Sequence, residues 1–379
     1  MSAFRGGASL SPRQRRPALE KPMASDAWEN KGLHAVLAPS WIGDTAMAAP
    51  FLASLRAAFP EARIEAVATP WTAGLLERFP WLDAVHRVGG EGSRWAGAWS
   101  LRRRLGGGSA EAVWLLANSF RSALLGRWIG GRRLIGYATD GRGWLLTRAV
   151  APPPESPPPH LVDYYLGILE GAGVRPSVRE VRLPVQEEDA RAAEDLLAEV
   201  GGADARPLVG LHPGAFFGES KTWPAGEFAR LARRLAREAG ARVVVLGGAG
   251  ESEMAAKVCR EAEGAAASLA GRDNLRILPA LLGRLDALVA GDTGPLHVAA
   301  LVGTPTVALF GPTDPRRTAP RGAPHRVIRR ELECSPCFER ACPLGHHRCM
   351  NDIGADEVAA EVVSLLSARS GPVRGEENR

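Results

Sequence analysis

The feature that most constrains this chain is an alternation of short apolar runs with amphipathic helical stretches, which runs through once, stops, and starts again. Strands are expected at 33–38, 63–68, 84–88, 111–116 and 132–136, with helical periodicity at 45–59, 71–79, 93–105 and 120–129. Repeated strand–helix–strand units close as right-handed crossovers, so this half reads as a parallel sheet with helices on both faces. The pattern breaks at a charged, polar stretch, 184–206, that is largely one helix. It resumes with strands at 208–212, 242–246, 285–290 and 304–310 and helices at 225–238, 251–263, 273–284 and 295–302. The expectation is an α/β chain of two doubly wound, Rossmann-like domains, 31–183 and 207–353, joined by the 184–206 helix. A last helix, 354–368, could cross back to the first domain.

The ends, 1–30 and 369–379, lack apolar periodicity and read as flexible tails in which nothing catalytic is expected. Six prolines within 151–159 resemble a domain linker, but a helical stretch at 161–169 follows at once and can pack back on the first sheet, so the boundary is placed later. With 379 residues, 45% hydrophobic and 23% charged, the chain can bury two cores and is neither disordered nor fibrous. No apolar run of about 18 residues occurs, and the basic start (Arg5, Arg13, Arg15, Arg16) is not followed by an apolar core. A cytoplasmic protein is expected on that ground. The net charge of +5 is compatible with an anionic partner. No nucleic-acid partner is expected.

In doubly wound domains ligands sit at the carboxyl ends of strands, which singles out three loops. Pro39-Ser40-Trp41-Ile42-Gly43-Asp44 is the first: Gly43 permits a close approach, and Asp44 falls at a helix start, where a carboxylate either caps the helix or faces the cleft for chemistry. The second begins His212-Pro213-Gly214 and ends Lys221-Thr222-Trp223-Pro224. Free backbone donors, a helix end and one ammonium suit an anionic group, although the P-loop spacing is absent. Only four of 47 basic residues are Lys, so an ammonium here differs chemically from the guanidinium this chain otherwise uses. A solvated surface Lys is the alternative. The third loop, Gly291-Asp292-Thr293-Gly294-Pro295-Leu296-His297, puts the amides of Thr293 and Gly294 at a positive helix end that could hold a diphosphate, with His297 one turn in.

Gly247-Gly248-Ala249-Gly250 lacks the full dinucleotide fingerprint, so an NAD-dependent oxidoreductase is not expected. Glu251 beside it could accept a ribose hydroxyl or cap a helix. Four of the five cysteines follow a compact pattern, Cys334-x2-Cys337-x4-Cys342-x6-Cys349, with His346 and His347 inside. Four zinc ligands could be drawn from it, but the spacing is not that of a ribbon or finger, and reduced structural thiols are expected instead.

Taken together, Pro39-Ser40-Trp41-Ile42-Gly43-Asp44, Asn118-Ser119-Phe120-Arg121-Ser122-Ala123-Leu124, Pro213-Gly214, Lys221-Thr222-Trp223-Pro224, Asp292-Thr293-Gly294 with His297, and Gly311-Pro312-Thr313 resemble, in order, the motifs of the lipopolysaccharide heptosyltransferases. These are glycosyltransferases of family 9 that use ADP-heptose, and the likeness is greatest to the heptosyltransferase II group. The resemblance implies the GT-B arrangement, two facing Rossmann-like domains, with acceptor on the first and nucleotide sugar on the second. It implies inverting transfer of heptose to the inner core of lipopolysaccharide, with Asp44 as the base that takes the acceptor hydroxyl proton. Gly214, Lys221, Glu251, Asp292, Thr293, Gly294 and His297 would bind the donor; Gly43, Asn118, Arg121 and Arg142 would bind the acceptor. No cofactor and no metal are implied, since cationic groups would stabilise the leaving diphosphate. The partners implied are ADP-heptose, a lipid-anchored core acceptor and the inner membrane surface. A family member with another sugar or acceptor, and a non-catalytic nucleotide-sugar-binding protein, are the alternatives; only the second predicts that Asp44 is dispensable.

Overall fold

Two six-stranded sheets, all of whose pairings are parallel, organise the chain. The computed structural model describes residues 28–89, 94–154, 159–214, 218–272, 274–322 and 324–370. The expected tails, apart from residues 28–30, 369 and 370, and the middle of the Pro-rich loop lie outside the described residues. The first sheet is built from β1 (Leu33–Leu37), β2 (Arg63–Ala68), β3 (Ala84–Arg87), β4 (Ala110–Leu115), β5 (Gly131–Tyr137) and β6 (Arg148–Val150), in the order β3-β2-β1-β4-β5-β6. The second contains β7 (Leu208–His212), β8 (Arg242–Val245), β9 (Ala266–Ser268), β10 (Ala287–Gly291), β11 (Thr306–Phe310) and β12 (His325–Arg329), in the order β12-β11-β10-β7-β8-β9. Both sheets thus reverse their strand order beside their first strand, between β1 and β4 and between β7 and β10. Such a switch point opens a crevice at the carboxyl ends of the two strands. The central strands β4, β7, β10 and β11 are buried along their whole length, as expected of strands covered on both faces.

β6, β9 and β12 were not expected from the sequence. Each is short or lies at a sheet edge, and Arg148-Ala149-Val150 or His325-Arg326-Val327-Ile328-Arg329 carries too little apolar alternation to announce a strand. The helix expected over 45–59 is two helices, Ile42–Met47 and Ala49–Ala58. Pro50 lacks an N–H and sits comfortably only in a first turn, so a new helix starts there. The first of the two also begins three residues early, which changes the meaning of Asp44.

The helix Leu161–Gly171 packs on Ala49–Ala58 and β5. The linker helix Glu187–Glu199 ties the domains through one buried carboxylate: Asp189 meets Arg78 Nε of the first domain at 2.8 Å and Arg276 Nε of the second at 3.1 Å. The last helix, Ala355–Ser370, does not cross back to the first domain. Its apolar residues Val358, Val362 and Leu365 share a core with Leu231 and Leu235 of the helix Ala225–Ala239, and Glu357 and Asp356 pair with Arg330 and Arg234. That apolar stripe finds a complementary face inside its own domain, which leaves nothing to draw it across.

Candidate active site

β1 ends at Leu37 and the chain turns into the helix Ile42–Met47, with Thr45 Oγ1 donating to Trp41 O at 2.8 Å. Trp41, extended, occupies the N-cap position, so Asp44 is the third helical residue. Its half-buried carboxylate accepts no hydrogen bond from a described residue, which removes the capping reading. Burial pushes the Asp44 carboxyl up to about 6; Asp292 adds to the rise, while His297, Lys221 and Arg317 draw it down. An uncapped carboxylate poised near neutrality can accept a proton.

The two switch-point crevices meet at this carboxylate. A Cβ on Gly43 would lie 2.8 Å from His297 Cδ2, and one on Gly294 would lie 2.8 Å from Ile42 Cβ, so both glycines allow helix ends of different domains to touch. Gly43→Ala should part them, lowering stability by about 1–3 kcal/mol and slowing turnover. A Gly43→Ala protein with wild-type melting temperature and rate would show that the contact is slack.

Across from Asp44, the second domain gathers its charged groups. Lys221 Nζ donates to Asp292 Oδ2 at 2.7 Å and to Asp292 O at 2.9 Å, and His297 Nε2 lies 3.2 Å from Asp292 Oδ1. Burial would raise the Asp292 carboxyl, but the His297 hydrogen bond and the Lys221 ammonium outweigh it and hold it well below the usual carboxylate range. Thr293 stands at the N-cap of Gly294–Val302 without a side-chain cap, so the first-turn amides keep donors for an anion. Glu251 accepts from Gly248 N at 2.8 Å and lies 3.4 Å from His212 Nε2. A Cβ on Gly214 would strike Glu251 Oε1, so β7 and β8 bring these loops together only because residue 214 is Gly. Trp223, fully buried, anchors the Lys221 loop by donating from Nε1 to Ile353 O at 2.9 Å.

In the first domain, Asn118 donates to the Tyr164 hydroxyl at 2.6 Å, and Arg121 is exposed at the start of the helix Phe120–Ile129. Arg142 requires correction as a direct acceptor ligand. Fully buried, its guanidinium donates to Tyr137 O, Ala117 O, Ser122 Oγ and Asn118 Oδ1. Its donors are spent on shaping the loop after β4, so it positions Asn118 and leaves contact with a ligand to others.

The profile of glycosyltransferase family 9 (heptosyltransferase) matches residues 98–348. Lipopolysaccharide heptosyltransferase 2 of Salmonella typhimurium is 32% identical over 345 residues, covering 88% of this chain and 98% of that protein. The chain belongs to glycosyltransferase family 9. Among solved structures, E. coli ADP-heptose lps heptosyltransferase II superimposes with a TM-score of 0.75 at 28% identity, over 89% of this chain and 99% of that one. The family 9 glycosyl transferase from Veillonella parvula gives 0.78 at 25% identity, over 90% and 100%. This family 9 enzyme has the GT-B fold, and its facing crevices are those of the two switch points.

Two neighbours of these loops escaped sequence reasoning. Arg317, after β11, acts electrostatically on both Asp44 and Tyr164. Its signal was available, since Gly311-Pro312-Thr313 marks another strand end. The other is the Cys-rich segment, which backs the Lys221 loop: Ser220 N and Oγ donate to Arg340 O at 3.1 Å and Glu339 O at 2.6 Å, and His347 Nε2 lies 2.6 Å from Ser220 O. All four of its cysteines are free, and among the described residues no three His, Cys, Asp or Glu side chains converge to hold a metal. The His347 N–H and its neighbours instead surround Cys342 Sγ and lower that thiol. His347→Ala should loosen the Lys221 loop and weaken ADP binding by about 0.5–1.5 kcal/mol, read by calorimetry, with a smaller change in kcat. Unchanged ADP affinity would show that the segment supports the domain and not the loop.

Proposed function

We propose that this chain is an inverting heptosyltransferase that moves L-glycero-D-manno-heptose from ADP-heptose to the inner core of lipopolysaccharide. The observation that carries the reading is a half-buried carboxylate, Asp44, without a hydrogen-bond partner among the described residues, set opposite the Lys221–Asp292–His297 cluster and an uncapped helix end. Family membership supplies the chemistry for which such a pair of facing groups is suited. The diphosphate of the donor lies along the amides of Thr293 and Gly294, with the Lys221 ammonium neutralising charge as ADP departs. The acceptor hydroxyl attacks the anomeric carbon from the opposite face and gives its proton to Asp44 as the new bond forms. Asp292 fixes Lys221 and His297, Glu251 and His212 close the far wall, and Asn118 and Arg121 receive the acceptor. Because the acceptor is lipid-anchored, the enzyme works from the cytoplasmic side against the inner membrane surface. Incubation with ADP-heptose and a heptose-deficient core should yield ADP and the extended core in equal amounts. UDP- or GDP-sugars accepted in preference, or ADP-heptose bound but transferred to no core acceptor, would overturn the reading.

A further inference from the structure

The helices Arg94–Arg104 and Phe120–Ile129 contain no acidic residue. Over residues 94–139 there is one, Glu111, buried and paired with Arg133, against eight Arg. Arg103, Arg104, Arg121 and Arg127 are exposed on these two helices. The same face carries large apolar side chains in the open: Trp99 is 60% exposed, Phe120 40%, Leu124 48% and Trp144 75%. Phe120, Leu124 and Trp128 recur every fourth residue, so they share one side of their helix. Trp144 continues the row at one end, 6.2 Å from Phe120, and Trp99 at the other, its ring edge-on to Trp128 at 4.8 Å. An apolar stripe therefore starts at the lip of the loop that holds Asn118 and runs about 15 Å along the helix, flanked by guanidinium groups.

We propose that this stripe is the surface by which the enzyme sits on an anionic phospholipid bilayer, with the indoles and Leu124 entering the interface and the arginines meeting lipid phosphates. Indole rings favour that depth, and each basic residue near an anionic surface strengthens binding by roughly fivefold. The charge complementarity and the continuity with the acceptor loop decide for a bilayer over a protein partner. The inference rests on the reading that the acceptor is lipid-anchored. It goes further in assigning the face and the orientation: the end of the stripe at Phe120 and Trp144 presents the acceptor loop to the membrane.

The test uses the full chain with vesicles of phosphatidylcholine, alone or mixed with phosphatidylglycerol, in a sedimentation assay. The wild type should sediment with the anionic vesicles, less so at high salt, and not with phosphatidylcholine alone. Arg103→Ala/Arg104→Ala and Trp99→Glu/Leu124→Glu should each weaken binding about tenfold or more, with melting temperature, ADP affinity and transfer to a water-soluble, de-acylated acceptor unchanged. Transfer to a vesicle-embedded acceptor should fall in parallel with binding. Equal sedimentation of wild type and both variants, or no sedimentation of the wild type, overturns the proposal. A wild-type dimer in light scattering that Trp99→Glu/Leu124→Glu converts to monomer also overturns it, because a second copy would then cover the face. Vesicle binding by a protein that transfers heptose to neither acceptor would sink the functional reading and leave the docking surface standing.

Discussion

Asp44→Asn should lower heptose transfer by about 10²- to 10⁴-fold while leaving the fold and ADP affinity intact. Asn keeps the size of the side chain and loses the proton acceptor, so the loss falls on the chemical step. The raised carboxyl, about 6, adds two consequences. Wild-type turnover under saturating substrates should fall as pH drops below about 6, because the base becomes protonated there. The second concerns stability. A carboxyl raised on folding is most favourable when protonated, below its unfolded value of about 3.9, and becomes a destabilising charge as pH rises through 6. Asp44→Asn removes that charge, so at pH 8 the variant should be more stable than wild type by on the order of 1–2 kcal/mol, allowing for the partial exposure of the group. Melting curves and single-turnover transfer across pH 5–8 read both effects. A variant that transfers heptose at close to the wild-type rate would remove Asp44 from the chemistry.

Lys221→Ala should weaken ADP binding by about 1.5–3 kcal/mol, on the order of 10- to 100-fold. It should also destabilise the fold, because Asp292, buried and held ionised, loses its nearest cation; breaking such a pair costs about 3–5 kcal/mol. The two effects separate in Lys221→Ala/Asp292→Asn, which leaves no unpaired charge and should regain stability without regaining affinity. Acid titration gives an independent reading. A carboxyl depressed on folding stabilises above its unfolded value of about 3.9, and that contribution is lost as pH falls below it. Lys221→Ala should therefore shrink the wild-type loss of stability below about pH 4. Equal ADP affinity in wild type and Lys221→Ala would remove the ammonium from the diphosphate site.

Much of this enzyme can be read along one dimension. The two runs of strand and helix, the loops at strand ends and the residues Gly43, Asp44, Lys221, Asp292 and His297 are local signals: periodicity, punctuation by Gly and Pro, and charged residues where a parallel sheet opens a crevice. What sets the Asp44 carboxyl apart from a helix cap is not local. Pro50 and Trp41 set the helix start, and burial beneath the second domain raises the carboxyl, so the decision depends on groups such as Asp292 and His297 about 250 residues away. Arg142 shows the opposite outcome. By type and position it resembled a surface cation for an anionic acceptor, yet the loop after β4 needs its carbonyl groups satisfied and takes its donors. The last helix and the edge strands β6, β9 and β12 were likewise settled by which complementary face or strand edge lay nearest once the chain had folded. Sequence alone determined the inner strands, most of the helices and the loops that join them, because those depend on neighbours within a few residues. Tertiary structure alone decided which charges face solvent, one another or the cleft, because desolvation and pairing belong to the whole packed molecule.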